Sequence, residues 1–340
     1  MELYSFEGYN LNSLNIRGKI MLFTSDLEEK IFNRHQFIDC DELIIISGYV
    51  GPRPIQRLQS LPFKTTVVYG MYGSDSISQQ LHQTLIKFHT PGQHEVLYSN
   101  IPVHSKIYVW KNQSDIVYAL IGSANFSKNG LTIPLRESLA ETTRDTFTDL
   151  DNYISQILQN AVECSAETIS TIQVRTSLTT NPVTSAPCSI VLYDPVTGEV
   201  PPRSGLNWGH SLGHTNLGDS YITIRTSHIQ SYPHLFPPKQ MRSTRVGGRS
   251  HRQNDAIELV WDDGILMDAL LEGSQKINGR FFPKQLSSHP SKNVLGRYIR
   301  ERLGLSPQAL VTRADLDNYG RSDISITRLQ DGTYFVDFSV

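Results

Sequence analysis

The chain has 340 residues, 39% of them hydrophobic, 9% aromatic and 19% charged, and a formal net charge of −2. This composition excludes a disordered chain, and the length usually means two domains. No run of about 18 apolar residues is present and the first residues show no basic and apolar leader, so we expect neither a membrane span nor a signal peptide. Three scattered cysteines, Cys40, Cys164 and Cys188, exclude a disulfide scaffold and favour the reducing cytoplasm.

The two halves of the chain differ in charge. Residues 1–165 contain 13 Lys and Arg against 17 Asp and Glu, whereas residues 166–340 contain 18 against 16, and 14 of those 18 are Arg. Arg makes planar bidentate contacts with phosphates and guanine edges. The densest basic stretch contains no acid and predicts a phosphate-contacting surface, with a solvated loop as the alternative. Its members are Arg225, Lys239, Arg242, Arg245, Arg249 and Arg252.

Strand and helix patterns alternate in the first half of the chain. They predict a helix at 26–35, strands at 42–50 and 65–72, a helix at 77–89, strands at 107–110 and 116–121, and a closing helix at 147–162. Alternation of this kind predicts an α/β sheet sandwich.

The second half of the chain is mainly β. Its patterns predict strands at 189–193, 221–225, 256–261, 323–328 and 334–338, and one helix at 293–303 that ends at Gly304. These elements predict a small β-barrel. Because residues 165–187 are rich in Ser and Thr, they indicate a linker. We therefore expect domains at 1–164 and 188–340.

Polar side chains with phosphate chemistry cluster between residues 104 and 137. His104 and Lys106 lie two apart on a predicted strand and so share one face; an imidazole can attack phosphorus while an ammonium neutralises the phosphate oxygens. Ser123 and Asn125 follow the next strand and offer donors to an anion. A short turn joins the two strands and brings these residues together. Glu137 can orient the histidine through its other ring nitrogen.

This order of residues resembles the phospholipase D superfamily, whose signature is H-x-K, then a Gly-Ser/Thr-x-Asn turn, then an acid. The resemblance implies that His104 is the nucleophile, and that Lys106, Ser123 and Asn125 hold the phosphate. Many members carry a further acid where this chain has Lys111. Nuclease members lack that acid and rely on the later one, so its role is assigned to Glu137.

The chain carries only one such motif, and single-motif members build one active site from two subunits. The resemblance therefore implies a homodimer through the nuclease domain, in which one His104 forms a phosphohistidine and the other protonates the leaving oxygen. The mechanism that the resemblance implies needs no metal or other cofactor, and the sequence agrees with this, since it has neither H-E-x-x-H nor a paired acidic cluster. We interpret His210 and His214, four residues apart, as non-ligands.

Segments of the second half resemble a DNA-binding pseudobarrel, a fold shared by plant auxin-response-type transcription factors and some restriction endonucleases. They include 206–209, 221–224 and 235–238. Such barrels read DNA with two arms, expected here at 205–218 and 272–284, although polar loops are the alternative. Side chains on the arms would read base edges, and the basic stretch would contact phosphates. The candidates are Asn207, Trp208, His210, His214, Asn216, Gln275, Lys276, Asn278 and Arg280 on the arms, with Arg242, Arg245, Arg249 and Arg252 on the phosphates.

Together the halves resemble the phospholipase-D-type restriction endonucleases, which implies a type II enzyme that cuts double-stranded DNA sequence-specifically and without metal. Relatives work with a methyltransferase, and some with a helicase-like ATPase subunit; this chain has no P-loop of its own. One alternative is a phosphodiesterase or transferase that acts on phospholipids, which the single motif and the Arg-rich second half disfavour. Another is a non-catalytic DNA-binding regulator, which the complete motif disfavours.

Overall fold

The computed structural model describes residues 20–172, 187–213, 215–239, 245–246, 249–250 and 254–340. The strands of its N-terminal domain are β1 (Leu22–Phe23), β2 (Glu42–Ser47), β3 (Lys64–Tyr69), β4 (Ile77–Ser78), β5 (His94–Ser99), β6 (Lys106–Asn112), β7 (Asp115–Gly122), β8 (Leu139–Glu141), β9 (Ala161–Glu163) and β10 (Thr171–Ile172). Its α-helices are α1 (Leu27–Phe32), α2 (Pro52–Leu58), α3 (Tyr72–Asp75), α4 (Gln79–Ile86), α5 (Lys128–Thr132) and α6 (Phe147–Gln159).

One mixed sheet forms the centre of this domain, in the order β1-β8-β7-β6-β2-β3-β5-β9. β2, β3 and β5 run parallel to one another, and β6 returns antiparallel beside β2. Because successive side chains of β2 point to opposite faces, Leu43 and Ile45 pack with α1, α2 and α4, whereas Ile44 and Ile46 pack with α6. The predicted α/β sandwich is confirmed.

Two local features differ from the sequence expectation. The segment 77–89 begins with the short strand β4, which pairs with β10, and Ser78 then caps α4 by accepting the Leu81 N–H at 3.3 Å. The first residues of the predicted linker pack on the nuclease domain: the Ser170 N–H donates to the Tyr72 hydroxyl at 2.9 Å, and Ile169 contacts the core. Residues 173–186 of that linker lie outside the described residues.

The C-terminal domain is mainly β. Its strands are β11 (Cys188–Val191), β12 (Ile222–Thr223), β13 (Arg245–Val246), β14 (Arg249–Ser250), β15 (Asp255–Trp261), β16 (Leu266–Glu272), β17 (Gln275–Ile277), β18 (Arg280–Phe282), β19 (Gln285–Ser288), β20 (Asp323–Gln330) and β21 (Thr333–Asp337). Its α-helices are α7 (Thr226–Ser231), α8 (Lys292–Arg302) and α9 (Arg313–Tyr319).

Seven of these strands form a barrel-like sheet in the order β11-β20-β21-β15-β16-β19-β12. β16 shows the alternation of a strand with one buried face, since Met267, Ala269 and Leu271 are buried and their neighbours are partly exposed. α8 closes the core with Leu295 and Ile299. The predicted pseudobarrel is therefore confirmed, with several short strands that the sequence patterns did not indicate.

Candidate active site and DNA interface

The H-x-K segment and the turn after β7 meet at one edge of the nuclease sheet. β6 and β7 pair antiparallel with Ile107 opposite Ile121, so the residues just before β6 and just after β7 are neighbours. His104 is exposed, whereas Lys106 is buried. The Lys106 Nζ lies 3.0 Å from Nδ1 and 3.1 Å from Nε2 of His104. Burial lowers the pKa of Lys106, and the charge of Glu137 acts in the opposite direction.

Asn125 is held by the end of β2, which the sequence analysis did not include in the site. Its Oδ1 accepts the Tyr49 N–H at 3.2 Å and lies 3.4 Å from Ser47 Oγ. Ser47 Oγ also accepts the Phe126 N–H at 2.9 Å. These contacts hold the amide oxygen of Asn125 against the end of β2. The amide nitrogen has no protein acceptor among the described residues and can donate to an anion.

Ser123 and Glu137 lie on the adjoining segment before β8. Ser123 Oγ accepts the Ser138 N–H at 3.1 Å, and a Cβ on Gly122 would stand 2.0 Å from Ser138 O, so only glycine fits there. Glu137 forms a 3.8 Å ion pair with Arg136. Within the part of the chain that the structure describes, no hydrogen bond joins Glu137 to His104. The expected orienting bond is therefore not formed within one chain.

Two residues that the sequence analysis missed lie beside His104. The rings of Tyr49 and His104 meet edge to face, with centroids 6.2 Å apart at 79°. The Tyr49 hydroxyl donates to Asp75 Oδ2 at 2.5 Å. Neither residue belongs to a sequence motif, and only the folded chain brings them to the site.

The DNA-binding domain contacts the same loops that hold the candidate active site. Lys128 Nζ, near Asn125 in the chain, forms a 2.5 Å ion pair with Asp268 of β16. Gln330 Nε2 donates to Val50 O at 2.7 Å. The Arg53 N–H donates to Glu258 Oε1 at 2.8 Å. The segments of the nuclease domain around Val50 and Lys128, which adjoin the candidate active site, therefore pack directly on the barrel.

The second predicted arm is a β-hairpin made of β17 and β18. Asn278 and Gly279 at its tip have φ angles of 49° and 80°, as a two-residue Asn-Gly hairpin turn requires. Lys276, Asn278 and Arg280 are exposed. Gln275 instead supports the base of the hairpin, because its Nε2 donates to Ile224 O and Pro283 O, both at 2.8 Å.

The first predicted arm contains one residue that the structure removes from the candidate interface. Asn207 is fully buried, its Nδ2 donates to Val311 O at 2.8 Å and its Oδ1 accepts the Val311 N–H at 2.8 Å. Its assignment to base reading is therefore corrected to a bond within the core. Trp208 is half-buried with its ring 5.6 Å from that of Tyr221, and His210 is also half-buried. Asn216 is exposed.

The remaining candidates for DNA contact lie in segments whose side chains, or whose whole residues, are outside the described part of the chain. Arg245 and Arg249 lie in the paired strands β13 and β14, of whose side chains nothing is described. His214, Arg242 and Arg252 lie outside the described residues.

Neither a membrane helix nor a metal-ligand group is found in the described residues. No helix there is long and apolar enough to cross a membrane. No three His, Cys, Asp or Glu side chains of that same part are grouped so that they could hold a metal ion.

Two family models cover most of the chain. Residues 25–171 match the NgoFVII restriction endonuclease N-terminal PLD domain, and residues 170–330 match the NgoFVII C-terminal B3-like DNA-binding domain. The chain belongs to the NgoFVII restriction endonuclease family. This family of phospholipase-D-type nucleases combines the two domains described above, so the protein is a nuclease joined to a DNA-binding domain.

Solved structures are similar to part of the chain. NucT from Helicobacter pylori has 21% identity, a TM-score of 0.32, and coverage of 43% of this chain and 98% of its own. Nuc from Salmonella typhimurium, a phospholipase D family member, has 10% identity, a TM-score of 0.34 and the same two coverages of 43% and 98%. Polyphosphate kinase from Porphyromonas gingivalis has 11% identity, a TM-score of 0.27, and covers 46% of this chain and 26% of its own. Among curated proteins, none matches the chain.

Proposed function

We propose that this protein is a type II restriction endonuclease that cuts double-stranded DNA sequence-specifically, without a metal ion, through a phosphohistidine. The observation that carries the proposal is the convergence of three side chains at one sheet edge. The exposed His104 lies 3.0 Å from the buried Lys106 ammonium, beside an Asn125 amide whose oxygen is already bonded. A nucleophile and two donors in this arrangement suit a phosphodiester.

The proposed reaction has two steps. A lone pair of the His104 imidazole attacks phosphorus, the bond to the leaving oxygen breaks, and a second, protonated imidazole gives that oxygen its proton. The second imidazole then takes a proton from water, whose oxygen attacks phosphorus and breaks the P–N bond. Lys106 and Asn125 neutralise the non-bridging oxygens in both steps.

The second imidazole is proposed to be His104 of another subunit. One motif supplies one such histidine, and a twofold axis through the site would place two copies on opposite sides of one phosphorus. The barrel would then supply the sequence specificity through its two arms. A cognate methyltransferase would protect the host's own sites, and a helicase-like ATPase subunit is a further candidate partner.

Digestion of a large plasmid in EDTA tests this function. We expect discrete fragments from the full-length protein and none from the His104→Ala variant prepared in parallel. Cleavage that requires an added divalent cation would overturn the metal-free mechanism. Sequence-specific binding without cleavage would favour a DNA-binding regulator, and hydrolysis of anionic liposomes without DNA binding would favour a phospholipid-acting enzyme.

A further inference from the structure

An aromatic and acidic pair stands beside the candidate nucleophile and has no role in the family motif. Tyr49 follows β2 and presents its ring to the His104 ring at 6.2 Å and 79°. Its hydroxyl donates to Asp75 Oδ2 at 2.5 Å. Its backbone N–H donates to Asn125 Oδ1 at 3.2 Å. Tyr49 thus contacts both the histidine and the amide of the site.

The backbone around this pair is tied to the strand ends that carry the site. The Met71 N–H donates to Gly48 O at 3.0 Å, and the Val103 N–H donates to Gly70 O at 2.9 Å. A Cβ on Gly70 would stand 2.1 Å from Val103 O, and one on Gly73 would stand 2.3 Å from Asn100 O. This close packing of α3 fixes where Asp75 lies relative to His104.

The titratable groups near His104 include Lys106 of β6, Tyr49 after β2 and Asp75 of α3. Lys106 of β6 places a cation 3.0 Å from the ring, which opposes a protonated imidazole. Tyr49 is neutral, since its bond to Asp75 raises the pKa of Tyr49 to about 12. The charge of Glu137 acts on Lys106, where it raises the pKa of the ammonium against the effect of burial. The bond from Tyr49 lowers the pKa of Asp75, helped by Ser74 and by the nearby His104, so Asp75 stays ionised.

Resting on the proposed function, we propose that Tyr49 and Asp75 form a positioning pair for His104. The ring of Tyr49 holds the imidazole in its orientation. The Asp75 carboxylate, held by the Tyr49 hydroxyl, offsets the Lys106 ammonium and stabilises the protonated imidazole. The proton transfer to the leaving oxygen needs that protonated form. The pair therefore acts in the subunit whose His104 serves as the acid.

Replacing the Asp75 carboxylate with a neutral amide tests the proposal through the pH dependence of cleavage. In the full-length protein, Asp75→Asn should move the single-turnover pH–rate profile toward lower pH by roughly half a unit to one unit, and less at high salt. Tyr49→Phe keeps the ring but releases the acid, so it should move the profile in the same direction by less. Asp75→Glu should restore most of the original profile. The affinity for DNA should not change.

Asp115→Asn is the matched control. It removes the same charge from an exposed position at the opposite end of β7 and should leave the profile in place. An equal shift in this control, or an unmoved profile in Asp75→Asn, overturns the proposal.

A second measurement separates this inference from the proposed function. In protein labelled with ¹³C-histidine, the titration of the His104 signal, assigned by its loss in His104→Gln, should move to lower pH in Asp75→Asn and not in Asp115→Asn. This result can be obtained even if the protein cleaves no DNA, in which case only the function fails. A His104 titration that is unchanged by Asp75→Asn overturns the pair even if cleavage occurs.

Discussion

Glu258 of the barrel accepts the backbone N–H of Arg53 at the start of α2, so a carboxyl of the DNA-binding domain caps a helix of the nuclease domain. Glu258 is fully buried. Burial raises the pKa of Glu258 to about 7, opposed by the Arg53 N–H and by the charges of Lys128 and Arg53. The junction between the domains therefore holds a carboxyl that changes its charge near neutral pH.

This carboxyl predicts a pH-dependent stability. Since its pKa is higher in the folded than in the unfolded state, the folded state keeps the proton between pH 4.5 and about 7, and stability falls as pH rises through that window. Glu258→Gln keeps an acceptor for Arg53 but removes the titration. The free energy of unfolding of the wild type, relative to the variant, should fall by up to about 3 kcal/mol from pH 5 to pH 8. Denaturant titrations that give one constant difference at both pH values would refute this assignment.

The assignment of His104, Lys106 and Asn125 to catalysis predicts variants that lose DNA cleavage but still bind DNA. His104→Ala should abolish cleavage and leave the affinity for DNA nearly intact, because binding belongs to the barrel. Lys106→Ala and Asn125→Ala should each slow single-turnover cleavage by about 10² or more, since each removes a donor to the phosphate oxygens. Retained cleavage by pure His104→Ala protein would contradict the assignment of His104 as the nucleophile.

A shared active site predicts that mixed dimers are inactive. The full-length protein should sediment as a dimer. Co-expression of equal amounts of wild-type and His104→Ala subunits should leave roughly one quarter of the activity, because only dimers with two intact histidines complete the reaction. A residual activity of one half, or cleavage by a monomer, would contradict the shared site.

The arm assignment predicts two kinds of DNA-binding variant. Lys276→Ala and Arg280→Ala, on the exposed hairpin, should each relax specificity at one base pair and cost about 1–3 kcal/mol. Arg245→Ala and Arg249→Ala should weaken all duplexes alike and lower the salt slope by about one unit each. Competition binding with single-site duplex variants at several salt concentrations separates the two classes. Indistinguishable outcomes would show that the arm assignment is wrong.

Local patterns were sufficient for much of the nuclease domain. Their own apolar runs were enough to predict the strands β2, β6 and β7, and a short polar turn separates the last two. Since antiparallel pairing follows from the short turn, the meeting of His104 with Asn125 could be predicted as well. β5 was missed, because its sequence HEVLYS mixes polar and apolar residues without a clear period.

The features that the sequence did not reveal depend on long-range packing. Asn207 is polar and lies in a loop-like segment, but its partner Val311 is 104 residues away and places it in the core. Asp75 belongs to the four-residue helix α3, which is too short for a periodic pattern. Glu258 interrupts an apolar strand, and its partner Arg53 lies in the other domain. No local pattern encodes such contacts.

The most direct test of the phosphohistidine mechanism is to trap its covalent intermediate. A duplex labelled at the target phosphate is mixed with the full-length protein in EDTA, quenched with denaturant within one turnover, and the protein is digested for mass spectrometry. The phosphohistidine mechanism predicts a base-stable, acid-labile adduct of DNA on His104 that is absent from His104→Ala. Metal-free cleavage with the adduct on another residue, or cleavage only with added metal and still present in His104→Ala, would contradict it.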